Sequence, residues 1–476
     1  MSRVRRIAKN VICLIIAQII TIVSSIILAS LLARTLLPEG YGKYNFVISF
    51  ISVFVIFMDF GLCTLFIREV SRDKSKLGRY FNNILAFYLI PSVFIFLVVI
   101  FSVNYFKYPV DIKTAAYIIG LSSILGIFSN LFISAFRAFE KMEYEAFLGI
   151  LERVLLTMLI VFSLFYGYGL IGISLSLLFA STIKLLCSFF IYHKKFEKIN
   201  LEFDIKLWKN LLVLGSSFAF VGIFTVLCLK IDTLMLSSYK GNVAVGLYNA
   251  AYNSVLFLAF IPSIFLASIF PVLSSKFNSK KNFEKAYTLS FRYLFLILLP
   301  LIIGLILLSE KIILLLFGES YISSIYLVKI LACAQIFSFM AWLFGFALNS
   351  INKQKLFMIA SGIGLIINII LNFLFIPSIG TYGAAFSILI THISVFFLLL
   401  YFSSKHIGKL NLFKLTIKPI IASAIMAGFI AGLYPLSLII LIPLGGAVYF
   451  ISLYLIKGFS EEDKEILSSI IKPNDK

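Results

Sequence analysis

Long apolar stretches alternate with short polar segments along the whole chain. Each stretch holds about 20 residues, which is the length a helix needs to cross a hydrocarbon core about 30 Å thick. The strands of a membrane barrel would alternate polar and apolar side chains, and these stretches do not. The pattern predicts an all-α integral membrane protein with about fourteen spans, numbered in chain order: 11–33, 44–67, 81–103, 114–136, 146–166, 170–192, 210–236, 245–271, 288–309, 322–348, 356–376, 382–403, 419–434 and 437–456.

Composition supports a membrane protein and excludes a soluble fold. Hydrophobic residues make up 61% of the 476 positions and charged residues only 13%, which is too few to cover a water-exposed surface. The first apolar stretch, Val11 to Ala33, follows several arginines and invites comparison with a secretory signal peptide. It is longer than the roughly 7 to 15 residues of a signal-peptide core, so we interpret it as span 1.

The net charge of +20 raises the question of nucleic-acid binding, which the distribution of charge answers. If the N terminus is cytoplasmic, Lys and Arg in the inner segments outnumber those in the outer loops about five to one. That excess is the positive-inside rule, so the basic residues encode orientation and no nucleic-acid partner is expected. We predict a multi-pass protein of the cytoplasmic membrane with both termini in the cytoplasm.

A weak internal repeat predicts how the spans are grouped. The segment from Gly42 to Asn45 recurs 204 residues later as Gly246 to Asn249, and two further landmarks recur at offsets of 212 and 211. Such repeats are typical of transporters, and six spans per repeat place both halves in the membrane from the same side. We predict a six-helix lobe at 1–200, a second at 201–410, and two appended helices with a short tail at 411–476.

Charged residues inside spans are costly and normally face a cavity or a partner, so they are the candidate functional residues. Asp59, Arg153 and Lys184 lie at a shared depth, roughly 10 to 13 Å from the inner edge at 1.5 Å per residue. Arg68 and Arg137 lie at the inner ends of spans 2 and 4. We interpret the group as a cationic substrate site with a coupling or pairing acid, Asp59. In the alternative, the cations extend to the interface and Asp59 pairs with one of them.

Fewer candidates lie toward the outer side. Arg34 ends span 1, and Lys230 and Asp232 lie near the end of span 7, with Asp232 as a second candidate acid and interfacial solvation as the alternative. Amides four residues apart share a helix face, where they line a polar path or form interhelical hydrogen bonds. The two such pairs are Asn249 with Asn253 and Asn368 with Asn372.

Several chemistries find no support in the sequence. The five cysteines fall inside spans without CxxC spacing, and the three histidines are scattered, so we expect no metal site and no cofactor. The sequence has no Walker-type glycine loop and no nucleophile motif, and its outer loops are short. We therefore expect a protein that is not an enzyme.

Several motifs resemble the polysaccharide biosynthesis/export family, the O-antigen-type flippases of the multidrug/oligosaccharidyl-lipid/polysaccharide (MOP) superfamily. The similarity extends over nearly the whole chain in the expected order. It is carried by Leu31 to Tyr44, Asp59-Phe60-Gly61-Leu62, Arg68-Glu69, Ile231-Asp232, Gly246 to Tyr252, Leu316-Phe317-Gly318 with Tyr321, and Ile376-Pro377 with Gly380, Gly383, Ala384 and Ala385.

The resemblance implies a MATE-like fold with a V-shaped central cavity and alternating access. It implies flipping of a polyprenyl-linked oligosaccharide to the outer leaflet, with cavity cations binding the lipid's phosphate or pyrophosphate. Its partners would be that substrate, membrane lipids and glycan-assembly proteins, and we expect a monomer. The alternatives are a proton- or sodium-coupled multidrug or cation antiporter of the same superfamily and a membrane-embedded glycan polymerase.

Overall fold

The computed structural model describes residues 3–275 and 279–458, and helices account for nearly all of this part of the chain. Three-residue 3-10 turns occur at Lys74–Lys76, Phe257–Ala259 and Glu319–Tyr321. The all-α prediction is confirmed. The α-helices are Arg3–Asp59, Leu62–Arg72, Leu77–Tyr105, Val110–Ala138, Met142–Phe165, Gly169–Lys195, Ile205–Leu256, Phe260–Ser275, Lys280–Leu307, Ser309–Leu316, Ser324–Ser350, Gln354–Ile379, Thr381–His406, Leu412–Gly432 and Leu438–Leu455.

Fourteen spans follow from these helices. In the described residues, 12 helical segments are long and apolar enough to cross a membrane. Two of them, Ala17–Arg72 and Ala219–Leu266, hold 56 and 48 residues, far more than the roughly 20 of a single crossing. Each long segment bends at one non-helical residue, Leu37 or Gly241, and therefore counts as two spans. The predicted number is confirmed, and the protein is a multi-pass membrane protein.

The two kinks have the same backbone conformation. Leu37 has φ 56° and ψ 175°, and Gly241 has φ 77° and ψ −178°. Such angles cost a residue with a Cβ about 1–3 kcal/mol. At Leu37 the helix is broken because Pro38 follows, which has no N–H to donate and clashes with the preceding turn. The kinks are 204 residues apart, which is the offset between the two Gly-x-Tyr-Asn motifs.

Paired glycines bring the two kinks into contact. Gly42 packs so closely on the main-chain carbonyl of Asn242 that an added Cβ would overlap it. Gly246 packs in the same way on the carbonyl of Pro38. Both glycines and both carbonyls are related by the 204-residue offset, so the contacts are reciprocal. We call this contact the paired-glycine junction; it lies at the predicted outer ends of spans 1, 2, 7 and 8.

Contacts divide the chain into two compact units. The first comprises Met1–Ala250 and Ile369–Ala384. The second comprises Ala251–Asn368 and Ala385–Lys476. This division falls within predicted span 8 and differs from the boundary expected near residue 200, so the division into two lobes and an appended pair stays a prediction.

Within the first unit, two asparagines of span 3 fix the segment that connects spans 6 and 7. The Asn82 side chain accepts from the amide of Asn200 at 3.2 Å. Asn83 donates to Glu202, accepts from the amide of Asp204 at 2.9 Å, and its carbonyl binds the indole N–H of Trp208. Two hydrogen bonds hold the pKa of the Asp204 carboxyl below its usual value. The larger effect comes from the Leu207 amide and the smaller from the Arg79 side chain. The connecting segment is therefore attached to the inner end of span 3.

Within the second unit, aromatic rings join spans 9, 10 and 12. The Phe291 and Phe344 rings stack with their centroids 6.0 Å apart, and Phe396 packs 5.4 Å from Phe344. Spans 13 and 14 pack against span 9, where the buried Tyr449 hydroxyl donates to the carbonyl of Leu296 at 2.8 Å. Spans 13 and 14 are therefore fixed to the rest of this unit by both apolar packing and a buried hydrogen bond.

Candidate functional site

Asp59 lies at a break in span 2. The first helix ends at Asp59, and Phe60 and Gly61 take positive φ values of 44° and 72° before the next helix begins. The Asp59 carboxylate accepts a hydrogen bond from the Cys63 amide at 3.1 Å and another from the Tyr88 hydroxyl at 2.6 Å. It thereby satisfies an amide that the broken helix leaves without a carbonyl partner.

This arrangement corrects the interpretation in which Asp59 pairs with a neighbouring cation. No ion pair of Asp59 is present among the described residues, and both of its hydrogen-bond donors are uncharged groups. The sequence contained a usable signal, because an acid directly before Phe60-Gly61 is placed to cap the helix that follows. Tyr88, in span 3, was not among the predicted site residues.

Lys184 and Glu152 form an ion pair between spans 6 and 5. The Lys184 ammonium lies 2.9 Å from the Glu152 carboxylate, and the two side chains are 12% and 33% exposed. Lys184 therefore has an acidic partner at its own depth. Its ammonium does not extend alone to the interface.

Replacing Glu152 with glutamine is expected to lower the free energy of unfolding by about 1–3 kcal/mol, because a mostly buried ammonium loses its charged partner. The midpoint of thermal unfolding of the purified protein measures the effect. Glu39→Gln is the matched control, since Glu39 is 65% exposed and its partner Lys43 also contacts Asp111. Equal shifts in both variants would show that the Lys184–Glu152 pair contributes no more than a surface pair.

The other predicted inner cations differ in their partners. Arg137 binds Glu145 through two hydrogen bonds of 2.6 and 2.8 Å. Arg68 lies 3.2 Å from Glu69. Arg153 is half-buried and has no acidic partner within 4 Å among the described residues. Of the four cations, Arg153 thus keeps a charge that no described acid neutralises.

Asp232 is the centre of a buried polar cluster in the first unit. Its carboxylate is 2% exposed, accepts from the Tyr248 hydroxyl at 2.8 Å, and accepts from the Asn372 amide at 2.5 Å. The amide of Asn249 donates to the Thr233 hydroxyl at 3.1 Å in the same region. Spans 7, 8 and 11 therefore meet at one carboxylate, which we call the Asp232 cluster.

The Asp232 cluster corrects the alternative in which Asp232 is solvated at the interface. Asn249 and Asn372 each form an interhelical hydrogen bond, as one interpretation of the amide pairs expected, and Asn249 also donates to the carbonyl of Val245 in its own helix. Of their partners at i, i+4, Asn368 is buried and Asn253 half-buried. Tyr248 was not predicted to be a site residue, and no local pattern relates it to an acid 16 positions earlier.

The remaining candidate cations are Arg34 and Lys230. Arg34 is exposed at the end of span 1. Lys230 is half-buried and forms no ion pair with any described residue, since two positions along a helix place it on a different face from Asp232. The role of either side chain in binding stays a prediction.

Two family models match the sequence. The model described as polysaccharide biosynthesis protein matches residues 7–277, which is more than half of the chain. The MatE model matches residues 217–374, a range that contains Asp232, Tyr248 and Asn372.

Curated relatives have roles in surface glycan assembly. A Shigella flexneri protein named as an O-antigen transporter is 27% identical over 368 residues, covering 75% of this chain and 88% of that protein. The capsular polysaccharide biosynthesis protein CapF of Staphylococcus aureus is 25% identical over 397 residues, covering 80% and 96%. The first of these names is that of a transporter, in agreement with the prediction that the chain is not an enzyme.

Solved structures share the fold. The lipid II flippase MurJ in an inward closed conformation superposes with a TM-score of 0.77 at 18% identity, covering 94% of this chain and 98% of that structure. The predicted fold class is confirmed.

Proposed function

Because this chain belongs to the polysaccharide biosynthesis protein family, within the MOP superfamily, we propose that it is a flippase for a lipid-linked oligosaccharide carried on polyprenyl phosphate or pyrophosphate. The observation that carries the proposal is the match of this family model to more than half of the chain, with relatives named for O-antigen and capsule assembly. The oligosaccharide crosses the cytoplasmic membrane, and both termini of the protein lie in the cytoplasm.

Intramembrane cations support binding of the anionic part of the substrate. Arg153 has no described acidic partner, and Lys184 is held beside span 5 by Glu152. A phosphate entering this level would complete the charge balance of Arg153 and compete with Glu152 for Lys184. Fixed cations lower the cost of carrying an anion through a region of low dielectric constant. Arg68 and Arg137, each bound to an acid at the inner ends of spans 2 and 4, belong to the path by which the phosphate enters.

Alternating access completes the proposed cycle. Rocking of the two six-helix lobes exposes the site to each side in turn while the polyprenyl tail stays in lipid. Asp232 is our candidate for the coupling acid, because a carboxylate at 2% exposure inside the membrane is costly to keep charged. Glycan-assembly proteins are proposed partners, and the protein is proposed to act as a monomer.

A second candidate function is a proton- or sodium-coupled antiporter of drugs or cations. It is favoured by one observation, the MatE match over residues 217–374, a range that contains every residue of the Asp232 cluster. Transport of a cationic dye driven by a sodium or proton gradient in vesicles, without translocation of a lipid-linked glycan, would favour this candidate over the flippase.

The flippase proposal predicts that Arg153→Ala combined with Lys184→Ala lowers the rate of translocation roughly tenfold or more, equivalent to about 1.4 kcal/mol in the barrier. The measurement is leaflet translocation of a fluorescent polyprenyl-linked glycan in reconstituted vesicles. Removing both cations leaves the lipid's phosphate without a counter-charge in the membrane interior.

The matched control is Lys206→Ala with Lys209→Ala, which removes the same charge from two exposed positions at the inner end of span 7. We expect this control to translocate at the rate of the parent protein. Undiminished translocation by the Arg153 and Lys184 double variant would refute the site assignment, while absent translocation by the parent protein would refute the proposed function.

A further inference from the structure

A basic cavity of about 250 Å³ lies where spans 9, 13 and 14 meet, within the second unit. Four cations line it: Arg292, Lys414, Lys418 and Lys457. None of its lining residues, all of which are described, is acidic. The four cations belong to the predicted cytoplasmic ends of these spans, and none is among the residues assigned to translocation above.

The walls of the basic cavity are fixed by hydrogen bonds across three spans. The Arg292 guanidinium donates to the carbonyl of Gly458 at 2.7 Å, and the Lys418 ammonium donates to the carbonyl of Lys457 at 2.7 Å. The buried Tyr449 hydroxyl holds span 14 to the carbonyl of Leu296, which also lines the cavity. The cavity is therefore part of the packed structure.

Capping of a helix end accounts for part of this charge. The carbonyls of Lys457 and Gly458 lie directly after the end of the span 14 helix at Leu455, and cations stabilise such a helix end. This explains why Arg292 and Lys418 point at Gly458 and Lys457. It leaves unexplained the ammonium groups of Lys414 and Lys457, which form no ion pair or hydrogen bond with any described residue.

The placement of Lys414 and Lys418 is unfavourable without an anion. The helix Leu412–Gly432 begins at the Asn411 cap, so both lysines lie in its first two turns. They are four residues apart on one face, where like charges repel, and the positive end of the helix dipole adds to the repulsion. An anion held between them would attract both ammonium groups and the positive end of the helix dipole, which would offset the repulsion.

We propose that the basic cavity binds the phosphate of an anionic phospholipid headgroup from the cytoplasmic leaflet. Basic pockets between membrane helices at this level are suited to such headgroups. The cavity volume is below the roughly 300 to 1,000 Å³ of pockets that enclose a whole drug-sized ligand, so it accommodates a headgroup only. Phe413 and Leu455, next to the cavity in sequence, are 74% and 72% exposed and offer apolar surface to the acyl chains.

The test measures binding of phosphatidylglycerol and of phosphatidylcholine to the full-length protein by native mass spectrometry. We expect retention of phosphatidylglycerol in preference to phosphatidylcholine. Each lysine near a membrane surface strengthens binding about fivefold, so Lys414→Gln with Lys418→Gln weakens phosphatidylglycerol binding about 25-fold. Lys353→Gln with Lys355→Gln is the control, because it removes two exposed cations that do not line the basic cavity, and it leaves binding unchanged.

Three outcomes would overturn the proposal. Equal retention of the two lipids would show that the cavity does not select an anionic headgroup. Occupancy by inorganic phosphate at millimolar concentration, without retention of phosphatidylglycerol, would assign the cavity to free phosphate. The sequence that follows Gly458 contains the acids Glu461, Glu462 and Asp463. If phosphatidylglycerol is retained only after these three acids are replaced by their amides, the protein itself supplies the anion that the cavity binds.

Discussion

Replacing Gly42 with alanine is expected to lower the rate of translocation about tenfold or more and to separate the two kinks at the outer side. The new Cβ would overlap the carbonyl of Asn242, and a main-chain atom cannot rotate away as a side chain does. Overpacking of this kind costs about 1–3 kcal/mol, occasionally more, which displaces the equilibrium away from any state that contains the junction. Gly246→Ala should act in the same way, because its Cβ would meet the carbonyl of Pro38.

The separation of the kinks is measurable without reference to transport. Spin labels at the exposed positions Thr35 and Ser238, in a background without the five native cysteines, report the distance between the two helix ends. We expect longer distances in Gly42→Ala than in the parent protein. Gly126→Ala is the control, because no atom lies within 4 Å of a Cβ added there. An unchanged distance distribution in both junction variants would contradict the close approach of the kinks.

Replacing Asp232 with asparagine is expected to lower translocation by about 5- to 150-fold, the usual range of coupling between two sites. An amide of the same shape keeps an acceptor oxygen but presents an N–H₂ group to the Tyr248 or Asn372 donor, and it cannot carry the negative charge that a coupling cation requires. Translocation in vesicles, with sodium and proton gradients imposed separately, measures the rate and its ion dependence.

Two further variants separate coupling from stability at the Asp232 cluster. Asp232→Ala leaves two donors buried without their acceptor, which we expect to cost about 1–3 kcal/mol for each donor. Tyr248→Phe removes one donor, keeps the carboxylate, and should retain the ion dependence of the parent protein. If Asp232→Asn keeps both the rate and the ion dependence, Asp232 only joins spans 7, 8 and 11.

The junction variants and the Asp232 variants respond to different experiments because they change different physical properties. The junction variants change the main-chain packing of the predicted outer ends, and the Asp232 variants change a buried charge without adding volume. An effect of the junction variants on distance, together with an effect of the Asp232 variants on ion dependence, would be consistent with the proposed alternating access.

Local sequence determined the elements of this protein. Fourteen apolar stretches of about 20 residues are required by the thickness of the hydrocarbon core, so the number of spans follows from hydropathy alone. Pro38 and Gly241 mark the kinks because one cannot continue a helix and the other readily adopts positive φ. Positive-inside charge predicted the orientation in the same local way.

The tertiary structure decided which polar groups are partners. Asp232 and Asn372 are 140 residues apart, and Lys184 and Glu152 are 32 apart, so no periodicity within one helix pairs them. The reciprocal contacts of Gly42 and Gly246 likewise depend on how two distant kinks approach each other. A buried polar group must find whichever donor or acceptor the packing of the spans brings to its depth, and this is a property of the assembled helices that no single span contains.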